Sequence, residues 1–528
     1  MRIDMRKIKS GGRFRRSGRA VAVLGTCLLA ACQSDVAVEV VDDAVLRTPL
    51  QAVDYTRLTT HDELVDFVYR LGAYSAQVQA GSLGRSVEGR DIPYLKISRD
   101  VFGADRETRS MVLIFAEQHG TEPSGREAVL ELALALARGE HDDWLQHMDL
   151  LLVPQVNPDG GSRHERQNAA DIDLNRSHLI LDAPEVIALR ELFHRWEPEV
   201  AVDVHEYYPW TDSWLERGWL RRWDVQFGLP TNLNVDPDIR SLAEEEFLPG
   251  AISAMQARGY TAHNYIVGTP EGVRYSTTDI NDGRQSLAIL QTLALIYEGR
   301  REQTPAGRID HRTAAQRTGL EFLLAFTAEH GERIRAVVRE ARRRVIDGET
   351  DDLHLLMGRA PGDGPLEMQV DRVVERDGGW EIAEVVTATI EAYRPRVTSE
   401  LAVSLPQAYL VPAAQQEIIE LMQQHRVEML TLSGGEPFTV EQLAIQGFSE
   451  HELEEPMMIA DVDASVTEYV ASEGDVLIPT AQLRGLMVAT ALEPASMHGL
   501  MHYTQFESLA RAGPYPVLRV LPAAAAGQ

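Results

Sequence analysis

Cysteine is almost absent from this chain: 528 residues contain two, Cys27 and Cys32. If both belong to a processed leader, the body can form no internal disulfide and no thiolate metal site. Any metal it binds must then be held by His, Asp or Glu. A membrane-length apolar run is missing too. The apolar stretch AVAVLGTCLLAA, at 20–31, has 12 residues, whereas a bilayer span needs about 20. Basic charge is scarce, with 51 Lys and Arg against 80 Asp and Glu, for a formal net charge of −29. Residues 1–31 alone hold eight Lys/Arg and one Asp, so the rest of the chain is more acidic still. An acidic body argues against nucleic acid as a partner, since phosphate contact needs a basic surface. No low-complexity segment or short-period repeat stands out.

What is present reads as a globular protein. Hydrophobic residues make up 44% and charged residues 25%, ordinary values for a folded domain, and the length points to two or more domains. Arg2 to Arg19 form a basic stretch ahead of the short apolar run, the pattern of an export signal. The run ends in LLAAC, Leu28 to Cys32, which resembles the lipobox of bacterial lipoproteins. That resemblance implies cleavage after residue 31 and a lipid on Cys32 as the one membrane attachment. It places the chain in the bacterial cell envelope, at the outer membrane facing the periplasm. A plain secretory signal that happens to contain cysteine is the alternative. Residues 32–55, polar and acidic with scattered valines, suit a tether.

From about residue 56 the pattern alternates strand and helix. Strands are predicted at 92–98, 111–116, 148–156, 199–205 and 292–299, with helices at 124–139 and 183–196. Such alternation predicts an α/β fold with a mixed, largely parallel central sheet flanked by helices. After about 308 the signal changes. Residues 312–346 are helical, with Ile334, Val337, Val338, Ala341 and Val345 on one face and Arg339, Arg342 and Arg343 on the other, which reads as a surface helix. Alternating runs such as LEMQVDRVV and WEIAEVVTATI predict antiparallel strands in 351–405. The expected division is a domain over 56–308, a connecting helical segment over 309–349 and a smaller mixed C-terminal module over 350–528.

One stretch combines a buried strand with polar chemistry. In LIFAEQHGTEPSG, 113–125, the apolar run leads to His119, with Glu122 three positions later. Zinc in hydrolytic sites takes three protein ligands and leaves a fourth position open. His119 and Glu122 can share one side if their loop curls like a helical turn. His205, at the end of VAVDVH, is the best third candidate, because open α/β sheets place ligand sites at the carboxyl ends of their strands. Spacing alone is weak, and a hydrogen-bonded loop histidine accounts for His119 taken by itself.

Several motifs converge, however. GRSVEGRDIPYLKIS (84–98), HGTEPSG (119–125), NPDG (157–160), RQNAADIDLNRS (166–177) and VDVHE (202–206) resemble the zinc carboxypeptidase family, in family order, over about 56–308. The C-terminal half also resembles the extension of longer bacterial members. The resemblance implies one Zn2+ per chain on His119, Glu122 and His205, with Asp173 buttressing the first ligand. It implies Arg166 as the group that polarises the scissile carbonyl, Asn175 and Arg176 as the pair that holds the substrate's terminal carboxylate, and Glu298 as the general base. A tyrosine some two dozen residues before the base belongs to the pattern too. Tyr275 lies in that interval, although Tyr265 and Tyr297 are also near. Two departures stand out: Thr121 replaces an arginine common before the ligand Glu, and Ser177 ends the NRS run. Glu206, beside a ligand, reads as solvated, and Asp279 and Asp282 as solvated loop charges.

The implied partner is a peptide with a free C-terminal carboxylate, cut by zinc-activated water. Two other readings use the same residues. HGTE and DLNR are also similar to aspartoacylase-like deacylases, and an envelope address allows peptidoglycan stem peptides as substrate. A lipoprotein that binds zinc or peptide without turnover is the reading from a different class.

Overall fold

A computed structural model describes residues 46–376 and 379–522. The leader expected at 1–31, Cys32 and the tether as far as residue 45 lie outside the described residues.

Eight strands form the main sheet: β1 (Val78–Arg85), β2 (Asp91–Ile97), β3 (Ser110–Ala116), β4 (Met148–Val153), β5 (Val200–Tyr207), β6 (Val225–Gly228), β7 (Ala262–Asn264) and β8 (Leu293–Arg300). Their order across the sheet is β1-β2-β4-β3-β5-β8-β6-β7. The central four, β4, β3, β5 and β8, run parallel. The β1–β2, β2–β4 and β6–β8 pairs are antiparallel. This is the mixed, largely parallel sheet that the alternation predicts. β3, β4, β5 and β8 are buried at every position, as strands covered on both faces must be.

The flanking helices include α1 (His61–Tyr74), α2 (Pro123–Ala137), α3 (Pro184–Trp196) and α4 (Ile309–Ile346). Thr60 caps α1 with a reciprocal Thr60–Glu63 capping box. Every residue of α2 is buried, which matches its nearly all-apolar sequence after Glu131.

α4 buries the apolar face expected of it, and more of its first half than the repeat predicts; Arg342 is the one departure on the arginine face. Its 38 residues pack along α2, α3's C-terminal loop and the sheet, burying Arg312, Gln316, Leu320, Leu323, Leu324, Ile334, Val338, Ala341 and Val345. Arg339 and Arg343 do pair with carboxylates on the surface. Arg342 instead turns inward and donates to the carbonyls of Glu197 and Pro198, at 3.0 and 2.8 Å.

The rest of the chain adds antiparallel β structure. Asp352–Ala360 pairs with Arg396–Ser404. Leu366–Arg376 pairs with Gly379–Ile390 on one side and with Trp219–Arg221, from before residue 308, on the other. A six-stranded sheet contains Ala408–Val411, Val476–Pro479, Gly513–Val520 and the long hairpin Pro437–Glu452/Pro456–Val470. Arg47–Leu521 form one compact unit.

Candidate active site

The sequence that follows β3 folds into a tight, braced turn. Glu117 adopts φ +55, a left-handed conformation that bends the chain off the strand axis. Its buried carboxylate is held at 3.0 Å by Arg126 and at 2.8 Å by Gln155. Gly120 then passes so close to the Asn157–Gly161 turn that a Cβ would lie 2.0 Å from the Gly160 carbonyl carbon. Asn157 donates to the Gln118 carbonyl at 3.0 Å and accepts from Gly160 N at 2.8 Å. The NPDG motif is thus a support for the loop that carries His119. The Glu122 amide donates to the His119 carbonyl at 3.0 Å, closing the turn that a spacing of three requires. Glu122 stands at the N-terminus of α2, followed by Pro123 in the first turn.

His119, Glu122 and His205 meet. His119 Nδ1 is 2.9 Å from Glu122 Oε1, His205 Nδ1 is 2.8 Å from Glu122 Oε2, and the two Nδ1 atoms are 3.1 Å apart. All three side chains are buried, and one donor atom from each lies within 4.8 Å of the others. Two ring nitrogens facing one another beside a carboxylate bring lone pairs together, which a cation resolves. The outer edges of both rings face acids. His119 Nε2 is 3.0 Å from Asp173 Oδ1, and His205 Nε2 is 2.8 Å from Asp203 Oδ1. Burial lowers the pKa of His205, but Asp203 and Glu122 outweigh it and hold the ring well above its ordinary range. This pocket calls for positive charge. Its His₂Glu set with carboxylate-backed imidazoles suits zinc in a hydrolytic site.

Asp173 also accepts from Arg166 Nε at 2.9 Å and from the Asn175 amide at 3.0 Å. Burial opposes its ionisation, yet the His119 hydrogen bond and the nearby His119, Arg166 and Arg176 charges hold its carboxyl well below the usual range. Arg166 Nη1 lies 3.7 Å from Glu122 Oε1, and the side chain is 43% exposed, so it borders the metal-ligand cluster and solvent together. Asn175 Oδ1 accepts from Gly283 N at 2.6 Å. Arg176 is exposed, and its Nη1 donates to the Asn175 carbonyl at 2.6 Å.

Glu298 sits in β8 directly across the parallel register from His205. Burial pushes its pKa up to about 7; the His205 charge opposes this and Glu122 adds to it. Half-buried Tyr265 is the phenol that senses it: burial first, then the Glu298 charge, raise the tyrosine's pKa. Tyr275 lies elsewhere. It packs on Tyr393 with ring centroids 5.5 Å apart and belongs to a cluster around Trp214 and Trp223. Of the three tyrosines, Tyr297 donates its hydroxyl to the Gly319 carbonyl at 3.2 Å, and Tyr265 is the one whose phenol senses the Glu298 charge.

Other expectations change. Glu206 is not solvated: it is buried and held by Arg312 of α4 at 2.9 and 2.8 Å. Asp282 is buried, caps the helix Gly283–Ala288 through Gln285 N and pairs with Arg284 at 3.0 Å. Ser177 accepts from Asp182 N and Ala183 N, both at 3.2 Å. His178 is a packing residue, as its position outside the motifs suggests: it is buried, 2.7 Å from Gln118 Oε1. Asp203 was not singled out as a site residue. The available signal was its place two residues before His205, which puts both on one face of a strand.

The zinc carboxypeptidase family profile matches residues 65–213. Carboxypeptidase 2 of Trichophyton tonsurans is 24% identical over 489 residues, covering 88% of each chain. Carboxypeptidase D of Drosophila melanogaster is 35% identical over 122 residues, 20% of this chain and 8% of that protein. Among solved structures, a metallo-carboxypeptidase from Pseudomonas aeruginosa in complex with (2-guanidinoethylmercapto)succinic acid is 21% identical. It covers 51% of this chain and 68% of its own, with a TM-score of 0.40.

Proposed function

We propose, from the premise that this chain carries a zinc carboxypeptidase domain, that it is a metallocarboxypeptidase releasing the C-terminal residue of peptides. The observation that carries the reading is one arrangement. His119, Glu122 and His205 converge, and the proton acceptor Glu298 stands in adjacent register outside that donor set.

When bound, zinc supplies a Lewis acid that polarises a carbonyl and lowers the pKa of coordinated water. The chain's own residues do the rest. Asp173, hydrogen-bonded to His119 Nε2, and Asp203, 2.8 Å from His205 Nε2, back the outer edges of the two imidazoles, while both Nδ1 atoms face inward. Glu298, with a pKa near 7, takes a proton from the attacking water and returns it to the leaving amine. Arg166, half-exposed beside Glu122, offers its guanidinium to the oxygen that gains charge. Asn175 and Arg176 bind the substrate's terminal carboxylate, which a guanidinium can grip with two hydrogen bonds. Tyr275, half-buried against Tyr393, is the tyrosine of the expected interval and is proposed as a substrate contact on the resemblance alone.

The basic leader and LLAAC, with Cys32, support export and lipid anchoring at the bacterial cell envelope, on the periplasmic face of the outer membrane. Loss of palmitate labelling and release from the membrane on Cys32→Ala tests that address.

The decisive experiment is a digest, read by mass spectrometry, of a peptide library presented with free and with amidated C-termini. Muropeptides and N-acyl amino acids are run alongside. Release of single residues from free-carboxylate peptides alone, abolished by chelation and restored by zinc, is the expected result. Turnover confined to muropeptides or acyl-amino acids would replace the peptide assignment. Tight peptide binding by zinc-loaded protein without any cleavage would leave a binding protein.

A further inference from the structure

The segment that follows Tyr275 has no helix or strand of its own until Gly283, yet it is closely held. Ser276 adopts φ +59 and is fully buried, a conformation that persists in a non-glycine residue only when its surroundings fix it. On one side the segment holds the residues assigned to the substrate carboxylate. Asn281 Nδ2 donates to the Arg176 carbonyl, Gly283 N donates to Asn175 Oδ1, and Asn281 Oδ1 accepts from Leu179 N.

Thr231, Asn232, Arg284 and Gln285 hold Ser276–Thr278 from within the first part of the chain, and on its other side further partners come from beyond residue 350. Arg359, its side chain 1% exposed, donates through Nη1 to the Tyr275 carbonyl at 2.8 Å and through Nη2 to the Ser276 carbonyl at 3.3 Å. Its Nε donates to Glu454 Oε1 at 3.0 Å. Glu454, at the tip of the long hairpin, accepts from Thr278 N at 3.2 Å through its other oxygen. His498 Nε2 lies 3.3 Å from Thr278 Oγ1, and its Nδ1 lies 3.7 Å from Asp279 Oδ1. Just before the segment, Val273 N donates to the Ala392 carbonyl at 3.0 Å.

We propose that Arg359, Glu454 and His498 are positioning residues: they fix Tyr275–Gly283, which in turn fixes Asn175 and Arg176, so the C-terminal module completes the substrate side of the site. The proposal deepens the carboxypeptidase reading and rests on it for the role of Asn175 and Arg176. The holding of the segment itself does not depend on that reading. None of the described residues beyond 350 belongs to the donor set His119, Glu122 and His205.

The test uses the full-length protein with Glu454→Gln, Arg359→Gln and Arg359→Lys. Arg372→Gln, at an exposed pair with Glu384 on the same module, is the control. Hydrogen exchange of amides 276–283, zinc content and steady-state kinetics on a free-carboxylate peptide are measured. Glu454→Gln and Arg359→Gln should keep one zinc per chain and speed exchange in 276–283 without changing exchange in β8. They should lower kcat/KM by about ten- to a hundredfold, mainly through KM, as small displacements of binding groups do. Arg359→Lys, which keeps the charge beside Glu454 and loses the planar fork, should fall between them and wild type. Should Arg359→Gln not fold, His498→Gln leaves the buried ion pair intact and should show the same changes at smaller size. Folded variants whose exchange and KM match wild type overturn the proposal. Wild-type protein with no peptidase activity but variants with faster exchange would refute the carboxypeptidase reading and spare the positioning role.

Discussion

Replacing Glu298 by Gln removes a proton acceptor and keeps the shape of the side chain. Its expected effects can be sized from the position of the carboxylate. Glu298 is 7% exposed, and burial raises its pKa to about 7. A general base in such a place contributes about 10²–10⁴-fold in rate, roughly 3–5 kcal/mol of barrier. The wild-type base is about half ionised at pH 7 and about nine-tenths ionised at pH 8. Wild-type kcat should therefore fall as pH drops through about 7, or somewhat lower if a bound cation favours the ionised form. The Gln variant should lack that limb. Stability should move the other way. A carboxyl whose folded pKa lies above its unfolded value, near 4.5, loses stability as pH rises between the two. At pH 8 the metal-free Gln variant should be more stable than metal-free wild type, by up to about 3 kcal/mol. The assay is kcat against pH on a free-carboxylate peptide, with zinc content by mass spectrometry and urea unfolding of the stripped protein. Zinc should stay at one per chain, because Glu298 lies outside the ligand set. A variant retaining a tenth or more of wild-type turnover at pH 8, or losing its zinc, would refute the assignment.

Other expectations can be checked directly. Asp203→Asn takes away the carboxylate 2.8 Å from His205 Nε2 and should weaken zinc binding by about 10–100-fold, measured by chelator competition. Arg312→Met strands the buried Glu206 carboxylate and should cost about 3–5 kcal/mol in urea unfolding; adding Glu206→Gln should recover part of it. Gly120→Ala must push the Asn157–Gly161 turn aside, so its melting temperature should drop, with a loss of about 1–3 kcal/mol or more.

The central sheet was legible because its buried strands are short apolar runs bounded by turn residues. β3 and β8 fall within one residue of their predicted spans. The convergence of His119, Glu122 and His205 was legible because residue type, spacing and strand ends all agreed. Glu206 was misjudged, since nothing local shows that Arg312, over a hundred residues later, neutralises it. Tyr275 fits the interval to the base, but interval says nothing about direction, so its packing on Tyr393 is not legible in the sequence. The strands Pro437–Glu452 and Pro456–Val470 carry exposed residues on both faces along much of their length. They therefore lack the alternation that announces a half-buried strand. The arginine face of α4 suggested solvent, whereas Arg312, outside the repeat that was read, is the arginine that matters to the site.

That helix constrains how the protein can be divided. Gln316 donates to the His205 carbonyl at 2.7 Å, and Arg312 anchors Glu206, so one turn of α4 grips the strand bearing a metal ligand. A fragment trimmed at residue 308 would discard that grip and bare an apolar flank of α2. The shortest fragment that keeps the candidate site as it stands must therefore extend at least through the long helix.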